Sequence, residues 1–206
     1  MLQRLMQKIS LRKISKVHDI DGWLSNNEAL GLYSVAGKLN ENAVVVEIGS
    51  WQGKSTYCIA RGLKSGQVFA IDPFNAAGGG DTESEEQYKE KKGSKDLLKS
   101  FIHNMESRNV MDKIVVKKGY SYEFPHDFEK IDFLFIDGDH SIEGCKSDFE
   151  LFSPRIVPGG YIAFHDFYEK RDELGSTWVI KNLVLPSPHY KFYRLFDSLW
   201  VAQKIS

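Results

Sequence analysis

Five short apolar runs, separated by helix-like segments and each closed by an acid, a glycine or a histidine, constrain this chain more than anything else in it. They are AVVVEIG from Ala43, QVFAID from Gln67, KIVVKKG from Lys113, IDFLFIDGD from Ile131 and GGYIAFHDF from Gly159. Each is rich in β-branched or aromatic residues and bounded by polar ones, which reads as a buried strand. Between them, KSTYCIARGL, EEQYKEKKGSKDLLKSFIHNM and SIEGCKSDFELF read as helices. The second is interrupted by Gly93, and the third faces water with Glu143, Lys146 and Asp148. Further helices are expected in GWLSNNEALGLYSVAGKL, capped by Ser25 ahead of Glu28, and in ELGSTWVIKNLV. The tail HYKFYRLFDSLWVAQK reads as two aromatic strands turning at Phe196-Asp197-Ser198.

Strand–helix alternation followed by a closing hairpin predicts an α/β, Rossmann-like three-layer sandwich. Its sheet is mostly parallel and seven-stranded, closed by a C-terminal antiparallel hairpin. Residues 1–40 read as a helical arm and cap, and 41–206 as the ligand-binding domain. Ligands of such sheets lie beyond the carboxyl ends of the strands. Here those ends carry Glu47-Ile48-Gly49, Asp72, Gly119-Tyr120, Asp137-Gly138-Asp139 and His165-Asp166. Caps and turns need one or two such acids, so the excess points to an active-site rim.

Composition narrows the classes. A chain of 206 residues, 42% hydrophobic, suits one domain with its own core. With 27 basic against 28 acidic residues the net charge is -1, which offers no field for nucleic acid or anionic lipid. Cys58 and Cys145 lack disulfide or zinc spacing and suit a reducing cytoplasm. No apolar run approaches the roughly 20 residues of a membrane span, so no stable membrane insertion is expected. The basic start MLQRLMQKISLRKISK has helical apolar spacing. It suits packing on this domain or a sister subunit, or a membrane surface. With the aromatic tail, it makes a homodimer plausible.

The stretch VVVEIGSWQGKSTYCIARGL resembles a phosphate loop, but Gly49 and Gly53 are one residue too close and Trp51 fills the turn. The dinucleotide fingerprint fails too, with Trp51 and Lys54 where glycines belong. What remains is E-x-G-x-x-x-G, with Asp72 placed 23 positions after Gly49. This resembles motif I of class I S-adenosylmethionine-dependent methyltransferases. The resemblance implies cofactor contacts from Glu47, Gly49, Ser50, Gly53, Ser55, Thr56 and Asp137. It implies ribose binding by Asp72, and adenine contacts at Pro73, Phe74, Tyr120 and Ser121. The aromatic pair reads equally as core or rim packing. FLFID keeps a P-loop-like ATP-binding protein as a rival, and a non-catalytic cofactor-binding module is another.

FLFIDGDHSIEGCKSDFE and GGYIAFHDF resemble the bacterial small-molecule and sugar O-methyltransferases, the methyltransferase domain 24 type, from Gly22 to Asp166. That branch implies a divalent cation, Mg or Mn, on Asp137, His165 and Asp166, with Asp139 as base. His165 stands where the branch has an acid. Imidazole suits other metals, can itself act as the base, or can be structural. His140 reads as an acceptor contact or a helix-start residue. The chemistry agrees with such a set, because a hydroxyl is a poor nucleophile until a cation and a carboxylate favour loss of its proton. N-methylation would need no metal. FNAAGGGDTESEEQY reads as a lid or an ordinary insertion, and Trp23 as cofactor cover or core.

Overall fold

The computed structural model describes residues 11–76 and 82–206, with only the backbone in 82–85. Most of the basic N-terminal arm and the glycines of the loop after Asp72 therefore lie outside the described residues.

The β-branched run forms β1, Ala43–Ile48, at the centre of a seven-stranded sheet. Its neighbours are β2 (Gly66–Asp72) and β4 (Ile131–Ile136), both parallel to it. β3 (Ile114–Lys118) continues the parallel set beyond β2, and β5 (Ile156–Phe164) beyond β4. β7 (Leu199–Lys204) then runs antiparallel to β5, and β6 (Tyr190–Phe196) antiparallel to β7 at the edge. The order is β3-β2-β1-β4-β5-β7-β6. The chain thus winds outward from β1 to one edge and returns at β4, which makes the β1/β4 seam the switch point where a ligand crevice opens.

Both sheet faces are covered. Val45 and Phe133 point into one apolar cluster with Leu32, Cys58 and Phe101, and their neighbours Val46 and Leu134 into the other with Cys145, Phe152 and Val184. This is the period of two that a strand buried on both sides must show. The first cluster is closed by α1 (Asn26–Ala36), α2 (Lys54–Gly62) and α4 (Leu97–Ser107). Ser25 caps α1 as expected: its Oγ accepts from the Glu28 amide at 3.1 Å, and the Glu28 carboxylate accepts from the Ser25 amide at 2.8 Å. The long polar segment splits at Gly93 into α3 (Thr82–Lys92) and α4, the latter capped by Asp96.

Two helices depart from expectation. α5 (Ile142–Phe152) exposes Glu143, but Asp148 is only 3% exposed and does not face water. Cys145, Asp148 and Phe152 share one face at i, i+3 and i+7, and that face packs inward. ELGSTWVIKNLV forms only the short α6, Gly175–Val179, and then a π-helical turn over Ile180–Val184. Among the described residues, no helix is long and apolar enough to cross a membrane.

Candidate active site

The turn after β1 holds three left-handed residues, Gly49 (φ 87°), Trp51 (φ 48°) and Gly53 (φ 88°). A Cβ on Gly49 would lie 2.0 Å from the Asp137 carbonyl oxygen, so only glycine lets the ends of β1 and β4 close together. Trp51 has no such freedom, and its strained backbone is held from outside. Asp72 Oδ2 accepts from the amides of Ser50 at 2.9 Å and Trp51 at 2.8 Å, while Oδ1 accepts from Phe74 at 2.5 Å. Behind the turn, Glu47 is fully buried, which pushes its carboxyl up to about 7. Its Oε2 accepts from Ser50 Oγ at 3.1 Å and from Thr56 Oγ1, and among the described residues no hydrogen bond reaches its Oε1. Lys54 Nζ donates to the Gly22 carbonyl, at 3.1 Å, on the cavity wall.

Beyond the strand ends lies a cavity of about 550 Å³, within the range of small-molecule sites. The expected site residues Gly49, Ser50, Ser55, Asp72, Pro73, Tyr120, Ser121, Asp137, Asp139, His140, His165 and Asp166 line it together. Glu47, Gly53, Thr56 and Phe74 do not reach its wall. Glu47 and Thr56 brace the turn from behind, and Phe74 packs edge-on against Phe101 with ring centroids 5.5 Å apart. Trp23, Trp51 and Tyr88 form a mutually packed ring cluster on the cavity's rim, with centroids 4.8 to 5.5 Å apart. Lys91 sits 3.9 Å above the Trp23 ring.

The acids gather at the β4 and β5 ends. His165, 7% exposed, directs Nδ1 at Asp137 Oδ1 (3.3 Å) and Asp166 Oδ2 (3.2 Å), and Nε2 at Glu28 Oε2 (3.4 Å), off line for a hydrogen bond. Burial alone would lower the imidazole's affinity for a proton, but Asp137, Asp166 and Glu28 raise it well above the ordinary value. Glu28 answers in kind. Burial would raise its carboxyl, yet His165, Ser25 and Ser198 hold it down at about 2. Its Oε1 accepts from the amide and hydroxyl of Ser198, at 2.9 and 2.7 Å, in the β6–β7 turn. His140 covers the same acids from above, with Nε2 at 3.9 Å from Asp137 Oδ1, 3.7 Å from Asp166 Oδ2 and 3.5 Å from the Tyr88 hydroxyl.

Among the described residues, the groups whose ligand atoms converge within 4.8 Å are Asp137, His140 and Asp166. The sequence expectation named His165 where this set has His140. Asp139 is exposed, with Oδ1 accepting from the Ser141 amide at 2.8 Å. Glu28, Tyr88 and Asp148 belong to the site's walls or supports and escaped the sequence reading. The signal for Asp148 was an acid standing in an apolar helical stripe.

A parallel sheet with its crevice at the β1/β4 seam, a glycine turn tied to an acid at the end of β2, and an acidic rim together define a nucleoside-dependent group-transfer class. Residues 46–167 match the methyltransferase-domain family, and the chain belongs to it. An uncharacterized protein of Acanthamoeba polyphaga mimivirus, R132, is 31% identical over 140 residues, 64% of this chain and 54% of that protein. Another, y4gI of Sinorhizobium fredii, is 24% identical over 170 residues, 79% of this chain and 17% of that one. The chain thus spans about half the length of the first relative and a smaller share of the second. TomG, an O-methyltransferase of Streptomyces achromogenes involved in tomaymycin synthesis and solved with its methyl donor, superposes with a TM-score of 0.65 at 14% identity. The match covers 96% of this chain and 90% of that one. An rRNA methylase from Streptococcus thermophilus superposes at 0.60, also at 14% identity, over 90% of this chain and 100% of its own. At such identities the likeness shows the fold alone, and the fold does not choose between a small molecule and RNA.

Proposed function

We propose that the chain transfers the methyl group of S-adenosylmethionine to a hydroxyl of a small molecule or sugar, assisted by a divalent cation. One observation carries the choice of methyl donor over ATP. The turn amides that a phosphate loop would aim at its ligand are spent on Asp72, and Lys54 is turned to Gly22. An acidic rim repels a triphosphate and favours a sulfonium cation. Asp72, Pro73, Tyr120 and Ser121 would hold the nucleoside, and Ser50 and Ser55 the amino-acid end. A small acceptor agrees with the near-zero net charge, which offers no basic surface for RNA.

For the cation, the donor set is Asp137, His140 and Asp166, and it fits: three ligand atoms, two of them carboxylate oxygens, lie within 4.8 Å of one another. His140 takes the place expected for His165 because the latter ring is wedged between the carboxylates and Glu28. One imidazole and two carboxylates suit Mn, Fe or Zn better than Mg. When bound, the cation would supply Lewis acidity toward the acceptor oxygen. The chain's own residues do the rest. Asp139 takes the hydroxyl proton as the C–O bond forms and the S–CH₃ bond breaks. Tyr88 and His140 border the acceptor's approach, so that the oxygen meets the methyl group in line.

Thermal-shift measurements test the donor: S-adenosylhomocysteine should raise Tm and Mg-ATP should not, and the opposite result overturns the reading. Transfer of labelled methyl to an acceptor library, with EDTA and then added Mn, tests the cation. Full activity in EDTA would remove the cation from the mechanism.

A further inference from the structure

The fused base of the donor nucleoside needs a reader, and the hydroxyls of the expected contacts Tyr120 and Ser121 are both engaged elsewhere, the first accepting from Asn75 Nδ2 at 3.1 Å. Ser121 Oγ donates to Asp148 Oδ1. Asp148 comes from α5 and is nearly inaccessible, yet it contributes to the cavity wall beside Gly119, Ser121 and Gly138. Its second oxygen lies beside the end of β4, where a Cβ added at Gly138 would stand 3.4 Å from Oδ2 and 3.0 Å from Ile48 Cγ2. No hydrogen bond reaches Oδ2 among the described residues.

A carboxylate taken out of water with one oxygen fixed and the other open to a cavity is costly unless a donor arrives. Burial, the larger cause, and the Asp139 charge push this carboxyl up to about 7, despite Ser121. Resting on the donor assignment above, the direction of the ligand follows. The reacting end must lie at Asp137 and Asp166 and the ribose at Asp72, so the base extends toward the β3 loop and α5. We infer that Asp148, oriented by Ser121, reads the 6-amino edge of the purine through Oδ2 and is the residue that selects adenine. A 6-oxo purine presents an acceptor there and meets a carboxylate lone pair instead of offering a donor.

The test uses S-adenosylhomocysteine and S-inosylhomocysteine, which differ only at that edge, on the full chain by titration calorimetry. The wild-type protein should bind the adenosyl compound at least about tenfold more tightly, as one hydrogen bond to a buried carboxylate implies. Asp148→Asn, whose amide can donate to a 6-oxo group, should erase or invert the preference. Asp148→Ala, which leaves no polar group at the position, should reduce the ratio toward one and serves if the Asn variant folds poorly. Equal affinities in the wild type, or an undiminished ratio in a folded variant, overturn the assignment. Binding of neither compound would instead sink the methyl-donor reading, and this one with it.

Discussion

Asp72 braces the glycine turn, and the proposed function gives it the ribose as well. Its carboxylate closes the β1 turn through two backbone amides, one of them on a left-handed tryptophan, and accepts a third from Phe74 just after β2. Asp72→Ala should therefore lower stability by about 2–4 kcal/mol in urea denaturation as well as weaken S-adenosylhomocysteine binding. Lost affinity at unchanged stability would mean the turn stands without it. Glu28 is a second such residue, 5% exposed and saturated by Ser25 and Ser198. Removing it as Glu28→Ala takes away one of the three carboxylates around the buried His165 ring, with Asp137 and Asp166 still facing Nδ1, and should cost about 1–3 kcal/mol. The pH dependence follows from its lowered carboxyl. The stabilisation is complete above the ordinary value of 4.5 and disappears as pH falls from there toward 2. The Tm gap between wild type and Glu28→Gln should accordingly be flat above about pH 5.5 and narrow below it. The acids at strand ends were legible because a strand's terminus can be read from one segment. Glu28 and Asp148 were not, because their burial is decided by Ser198 and Ser121, far away in sequence.

α3 is the least apolar element around the cavity, and it is fastened by charge. Lys91 pairs with Asp21 at 3.0 Å while lying over the Trp23 ring, and Lys95 reaches the same aspartate at 3.6 Å. Such partly exposed contacts are worth little in global stability, on the order of 1 kcal/mol or less together. Lys91→Ala should leave Tm nearly unchanged but speed amide exchange across Thr82–Lys92, and added salt should do the same to the wild type. Slow exchange in the variant would mean that the Tyr88 ring cluster alone holds the helix. The break at Gly93 was readable from one residue. The π turn after Val179 was not, since its backbone pattern is set by packing of Ile180 and Val184 in the second cluster.

Across the whole molecule, the two cysteines sit on opposite sides of the sheet, Cys58 in the first apolar cluster and Cys145 in the second. Burial pushes both thiols above their ordinary range, so neither should react with a thiol reagent while the sheet is intact. If the two layers unfold as one unit, both should label at one rate that matches global unfolding in denaturant. Distinct rates would mean that one layer opens alone. The alternation of strands and helices from β1 to β5 was legible, whereas the convergence of α1 and the β6–β7 turn on the candidate site was not. Glu28 and Ser198 meet under His165, and both fall outside residues 46–167. Anyone who excises that span to make a minimal enzyme would therefore bare one side of the histidine, and the shortened protein would enter the assay with one wall of its candidate site missing.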